Sequence, residues 1–432
     1  MSIDDIVSKD YSREPVLIAD SRSIWSLISV FVAMTVCISA LILGAQIGLN
    51  SSVQDTIIGS VLGGLLLSFI GVLMAHIGSD TKLSLAMISN FTFGNEGSKI
   101  ISFVLVLTLF GWFGVQTEVF ADSLNNLLKE VFNINLPRLS YIFFGGLLMS
   151  STAIIGFKAL EKLSMVAVPL LIVLILLPFI NIYNSNGLSN VLEYQSKNVM
   201  SLANIISLVG GSFIVGALIM PDIMRYAKSN KDARFATFFG FSIFYPIFLT
   251  LTAIIAISVN ELDVIKMFLM VGLGVPALII LIVASWTTND SNLYSSSLGL
   301  SVIFKSYSKP VLAASAGAIG TICAAMGILE YFIPWLIFLG LIIAPVGGVI
   351  IADYFMDKKA YSFNKLESVT KFRHYNLIAW IFGVLGGVMT TPKASNGLEL
   401  FEFTSISSLD GIILSACFVF LYRQLKCNKF NK

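Results

Sequence analysis

Histidine is nearly missing from this chain: His76 and His374 are the only two in 432 residues, and charged residues make up 12%. Soluble globular proteins carry roughly 25% charged residues, so most of this surface is not built for water. Two histidines leave little from which to assemble a histidine-based catalytic or metal site. Cys37, Cys323 and Cys417 lie in apolar runs and Cys427 sits in the tail. No pair has CxxC spacing, so neither a disulfide framework nor a thiolate metal site is implied. A P-loop, an HExxH pair and a nucleophile elbow are all absent, which argues against ATP-driven pumping and against an enzyme. A net charge of +2 is too small to suggest nucleic acid or an acidic partner. The first 24 residues mix acids and bases and lack the short apolar core of a cleaved signal, so the first apolar run is expected to stay in the protein.

What is abundant is apolar: 56% of residues, with a mean hydropathy of +0.88. A helical membrane span needs about 20 such residues. Charged or Gly/Pro/Asn-rich breaks leave twelve segments, near 25–44, 56–77, 98–127, 138–156, 160–184, 199–225, 235–258, 272–300, 310–328, 331–353, 374–391 and 409–426. With a cytoplasmic N-terminus, this division leaves only Lys129, Arg138, Lys197, Lys266 and Lys393 of the 27 basic residues outside. That is the asymmetry the positive-inside rule predicts. The longest connections, Phe355 to Arg373 and Thr391 to Ser408, are too short for a soluble domain. The expectation is an all-α integral membrane protein with 12 transmembrane helices and both termini cytoplasmic, acting as a secondary carrier or, alternatively, a channel or membrane sensor.

Within the eighth segment, Ala284 to Tyr294 reads ASWTTNDSNLY. An unpaired hydroxyl or amide in hydrocarbon costs several kcal/mol, so this run must face protein, water or a solute. Thr287 and Thr288 follow Ala284 by three and four residues, gathering two hydroxyls and a carbonyl on one helical face. Neutral oxygens of this kind suit a monovalent hard cation; back-bonding to the preceding turn accounts for the same threonines. The sixth segment carries Gly210-Gly211-Ser212-Phe213, either a helix break or a close helix contact. Its counterpart in the first segment is expected to unwind near Phe31 to Thr35. In the third segment Trp112 stands near mid-depth with Gln116 one turn on, a platform for a flat ring or a packed core indole. Glu118 and Asp122 are expected to line an outer vestibule and Asp290 to hold a helix contact. Asp222, Arg225 and Asp353 are expected to be solvated or capping groups.

Phe91-Thr92-Phe93-Gly94, Gly111-Trp112-Phe113-Gly114, Gly211-Ser212-Phe213, Trp286-Thr287-Thr288-Asn289-Asp290 and Pro345 to Tyr354 together resemble the nucleobase-cation symporter-1 family, and within it the bacterial cytosine permeases. The resemblance implies a leucine-transporter-like fold. Residues 25–184 and 199–353 would form two inverted five-helix repeats, residues 374–426 two peripheral helices, and 1–24 and 427–432 cytoplasmic tails. It implies a bacterial inner-membrane symporter, functional as a monomer, that takes a nucleobase between Trp112 and Phe213. Gln116, Gly211, Ser212, Thr35 and Ala284 would complete the solute site. Sodium would sit at the Phe31, Met34 and Ala284 carbonyls and the Thr287 and Thr288 hydroxyls. Where cytosine permeases carry polar readers of the base, this chain has Leu109, Val215 and Ala284, and Gln116 matches the hydantoin-carrying branch. Hydantoin, allantoin or a thiamin pyrimidine therefore stand beside cytosine and purines as solutes, and an amino-acid symporter of the same fold as a further alternative.

Overall fold

The computed structural model describes residues 10–185, 187–196, 200–393 and 397–430. Lys9, Lys197 and Lys432, which enter the charge reading above, lie outside them. The described residues are helical apart from connections and one isolated bridge between Arg22 and Ala227. In chain order the helices are α1 (Ile24–Thr35), α2 (Ile38–Leu49), α3 (Val53–Thr81), α4 (Leu85–Phe93), α5 (Gly97–Phe132), α6 (Arg138–Ile155), α7 (Phe157–Asn184), α8 (Gly187–Leu192), α9 (Leu202–Ser212), α10 (Ile214–Leu218), α11 (Met220–Met224) and α12 (Asn230–Phe238). A π-helical turn (Phe239–Phe244) leads into α13 (Tyr245–Val259), followed by α14 (Val264–Met270), α15 (Gly274–Ile303), α16 (Lys309–Ala325), α17 (Phe332–Ile342), α18 (Ala344–Met356), α19 (His374–Thr390) and α20 (Ser407–Phe430). Ser23, Ser52, Ser84 and Ser201 each accept a backbone N–H at a helix start, which explains where α1, α3, α4 and α9 begin.

Among the described residues, seven helices are long and apolar enough to cross a membrane, or eight when the bent pair α1–α2 counts as one. The sixth, ninth and eleventh expected spans appear as the shorter apolar helices α9, α16 and α19. The eighth, α15, is 30 residues long, but its own polar run keeps it out of the apolar set. Every residue from Thr287 to Val302 on it is buried. A helix that is polar on several faces survives only where protein surrounds it, so α15 is the centre of the bundle rather than its skin.

The two interruptions differ in detail from expectation. Residues Phe31 to Thr35 are helical, and α1 ends at Thr35, after which Val36 turns out of the helix (ψ 76°) and Cys37 is extended (φ −117°, ψ 162°). Neither conformation needs positive φ, which is why no glycine marks the break. The axes of α1 and α2 then diverge by 61°. In the sixth span Gly210, Gly211 and Ser212 stay helical and the chain turns at Phe213 (φ −125°, ψ 17°).

Small residues allow α2 to lie against α13. A Cβ on Gly44 would fall 2.8 Å from Thr252 Cβ, and one on Gly48 would fall 2.7 Å from Ala253 Cβ. Nothing lies within 4 Å of a Cβ added at Gly211. Gly48→Leu should therefore cost about 1 to 3 kcal/mol by overpacking and lower the melting temperature of the solubilised protein, whereas Gly211→Ala should leave it unchanged.

Candidate functional site

A vestibule of about 510 Å³ enters the bundle between α2, α9, α17 and the segment before α20. Its floor is made by Ser39, Trp112, Ser212 and Phe213, and beyond them lies a chamber of about 30 Å³, which those four also line. That chamber is water-sized, so a larger solute would rest at the junction of the two spaces. Trp112 and Phe213 stand at this junction, both half-buried and neither turned to lipid. The Phe213 ring packs against Phe241 (5.8 Å between centroids) and Tyr245 (5.6 Å). Ser212 donates to the Val209 carbonyl (2.8 Å) and lies 3.0 Å from the Tyr245 hydroxyl. Gly211 faces the vestibule.

Gln116 lines the chamber and is fully buried. Its amide nitrogen donates to Ser39 Oγ over 3.4 Å, while its Oε1 has no hydrogen-bond partner among the described residues. A buried acceptor left unpaired costs about 1 to 3 kcal/mol, and such an atom calls for an explanation. Met34, Cys37, Val215, Thr288 and Asn292 complete the same wall. Asn292 was not foreseen from the sequence, although it follows Thr288 by four residues and so shares its helical face. Cys37 and Ser39 carried no signal stronger than being small. Thr35 lines neither space; it is buried and donates to the Val32 carbonyl (2.9 Å).

Four neutral oxygens converge behind the chamber. Thr287 Oγ1 lies 3.0 Å from the Ala284 carbonyl and 3.2 Å from the Ala33 carbonyl of α1, and Thr288 Oγ1 donates to the Ala284 carbonyl at 3.0 Å. Ala33 is among the last residues of α1, whose terminal carbonyls have no further turn to pair with. The negative end of the helix dipole points the same way, which favours a cation. Met34 reaches the chamber; the Phe31 side chain is packed edge-on against Phe241 at 4.7 Å. Ala284 is buried and contributes its carbonyl to both threonines.

The other residues of the polar run hold neighbouring helices. Trp286 donates to Thr152 (3.0 Å), and Asn289 donates to the Phe113 carbonyl (2.9 Å) and Thr117 (3.0 Å). Asp290 is fully buried and faces the Thr152 side chain and the charge of Lys309. Glu118 and Asp122 do not line the vestibule; both pair with Arg138, and Glu118 also accepts the Leu329 N–H.

The end of the bundle opposite the vestibule is sealed. Arg225 is fully buried, not solvated, and donates to the carbonyls of Tyr11 (2.7 Å) and Asp10 (2.8 Å) and to the Tyr294 hydroxyl (2.7 Å). Asp10 pairs with Lys309 and accepts the Phe157 N–H (2.9 Å). Asp222 and Asp353 are likewise buried: the first accepts the Leu85 N–H, the second pairs with Arg373 and Arg423. Burial, together with the bond to Asp20, pushes the Tyr11 phenol up to about 12, so this plug stays uncharged at Tyr11 through physiological pH.

Comparison with known proteins places this geometry. The family described as permeases for cytosine/purines, uracil, thiamine and allantoin matches residues 19–407. The cytosine permease of Escherichia coli (strain K12) is 30% identical over 379 residues, covering 88% of each chain. A purine-uracil permease of Arabidopsis thaliana is 23% identical over 365 residues, covering 74% of this chain and 60% of that protein. Among solved structures, Mhp1, a nucleobase-cation-symport-1 family transporter captured closed with bromovinylhydantoin bound, superposes with a TM-score of 0.80 at 18% identity, covering 98% of this chain and 96% of the other. A Na+-coupled sialic acid symporter gives 0.68 at 14% identity, covering 97% and 92%.

The seal yields a double-mutant test. Lys309→Met would remove the ion-pair partner of the buried Asp10 carboxylate and should cost up to about 3 to 5 kcal/mol, read as a fall in melting temperature. Adding Asp10→Asn, which keeps an acceptor for the Phe157 N–H, should recover part of that loss.

Proposed function

Since the chain belongs to the family of permeases for cytosine/purines, uracil, thiamine and allantoin, a membrane transporter family and not an enzyme family, we propose that it is a secondary active symporter that imports a nucleobase or related planar heterocycle together with sodium by alternating access. The observation that carries this reading is Gln116 Oε1, buried and without a hydrogen-bond partner among the described residues, in the chamber that Trp112 and Phe213 also line at the foot of an open vestibule. A flat ring sliding between the two aromatics would gain about 1 to 3 kcal/mol if stacking resembles that of bases on aromatic side chains. A ring edge with adjacent donor and acceptor would pair both halves of the Gln116 amide. Asn292, Ser39, Ser212 and Thr288 are further polar groups within the same walls. Neither Leu109, which is buried in the core, nor Val215 can read a base edge by hydrogen bonding. A hydantoin, allantoin or a thiamin pyrimidine fits the same set, because what the chamber asks for is planarity and a paired edge.

Sodium is the ion we assign to the oxygens of Ala33, Ala284, Thr287 and Thr288. All four are neutral, which suits a monovalent hard cation. The ion would bridge the broken end of α1 to α15, and the solute would lean on the start of α2 at Ser39. Binding of each would thereby order the break that the other uses, a physical basis for coupling. The twelve spans, the two inverted repeats, the cytoplasmic placement of both termini and action as a monomer belong to this same proposal.

Three measurements test it. Thr288→Ala should raise the sodium concentration needed for half-maximal uptake severalfold while sparing the fold; unchanged sodium dependence removes the residue from the ion site. Trp112→Ala should abolish solute binding, and intact binding would exclude stacking. A thermal-shift screen of nucleobases, hydantoins and pyrimidines, in sodium against potassium, should show a rise only for the carried heterocycle and larger with sodium.

A further inference from the structure

On the flank of the bundle, α5, α16, α17 and α19 enclose a second space of about 600 Å³ that has no part in the solute path. Its walls are hydrocarbon and aromatic. Besides the Trp335 and Trp380 indole N–H groups and the Cys323 thiol, Thr108 is their polar side chain, and its hydroxyl is already spent on the Val104 carbonyl at 2.9 Å. Leu107, Ile319, Phe338 and Leu385 line this groove and are also among the exposed apolar side chains, so it opens sideways onto the lipid-facing surface. A site with no charge and a volume within the usual ligand range selects an alkyl chain.

The helix between this groove and the vestibule is thin. Ile337, Gly340 and Leu341 of α17 face the vestibule, while Trp335, Phe338 and Ile342 of the same helix face the groove. Trp335 stacks on Phe338 (5.7 Å, 23°) and packs against Gly111, where a Cβ would come within 2.6 Å of its Nε1. Its indole N–H has no hydrogen-bond partner among the described residues, whereas Trp380 on the facing helix donates to the Ile342 carbonyl at 2.9 Å. At Trp335, then, α17 is held by packing and not by a hydrogen bond.

We propose that this groove takes one acyl chain of a bilayer phospholipid from the leaflet on the vestibule side, and that the chain braces α17 as a wall of the vestibule. The source is bilayer lipid because the groove is continuous with the membrane-facing belt, and that leaflet because groove and vestibule share the same stretch of α17. The inference does not depend on which solute is carried.

The full chain would be reconstituted into vesicles of phosphatidylethanolamine and phosphatidylglycerol doped with a phosphatidylcholine bearing a mid-chain diazirine, irradiated, and the adducts mapped by mass spectrometry. Adducts should be enriched severalfold at Leu107, Cys323 and Leu385 over the more exposed Leu147 and Val166, and lost when Cys323→Phe fills the groove. Ile319→Phe serves the same purpose should the first variant not fold. Uniform labelling of the belt, or enrichment that survives filling, overturns the site. Hydrogen exchange across Phe332–Ile342 should be faster in delipidated micelles and slow again on adding back phosphatidylglycerol; exchange indifferent to lipid overturns the brace.

Discussion

A helix that stops inside a membrane leaves carbonyls and amides which lipid cannot pair, and everything notable in this protein is arranged around that constraint. The chain stops helices at Val36–Cys37 and at Phe213, and both interruptions face α15 and the inner chamber rather than lipid. The contact on which the arrangement turns is Thr287 Oγ1 reaching across to the Ala33 carbonyl, because it ties the free end of α1 to the central helix. Without a polar partner at that point, a break in α1 would expose backbone at a cost of several kcal/mol per group.

The two breaks are also joined through rings. Phe31, Phe241 and Phe213 form an edge-to-face chain, with Gly240 leaving no room for a side chain beneath Phe31. Phe241 stands on the π turn, an irregularity that recurs at functional sites because it re-aims side chains. The proposed ion side and the proposed solute side are thus mechanically adjacent. Among the described residues the vestibule is open at one end, and Arg225, Asp10, Tyr294 and Lys309 form a buried, hydrogen-bonded cluster at the other.

The polar run of α15 divides its labour in a way that spacing only half reveals. Trp286 and Asn289 satisfy their hydrogen bonds on α6 and α5, Tyr294 on Arg225, and Thr287 on α1. Thr288 and Asn292, one turn apart, reach the chamber. A run that looks like one site is mostly the mortar of the bundle.

Scarcity of charge, long apolar runs and the polar interruption at Ala284 to Tyr294 were enough to read a helical membrane protein with a buried centre, since hydrocarbon tolerates little else. The pairing of Trp112 with Gln116 was legible for the same local reason: residues four apart share a helical face. Other features had no local signature. The break after Thr35 uses ordinary φ values and needs no glycine, Ala33 acts through a carbonyl that every residue has, and Thr35 turns its hydroxyl back on its own helix. Arg225 and Asp353 look solvated at span ends, yet the N-terminal segment and α19 and α20 bury them. Sequence period tells which residues lie on one face of a helix; which face meets water, lipid or another helix depends on contacts between segments hundreds of residues apart, and only the assembled bundle decides that.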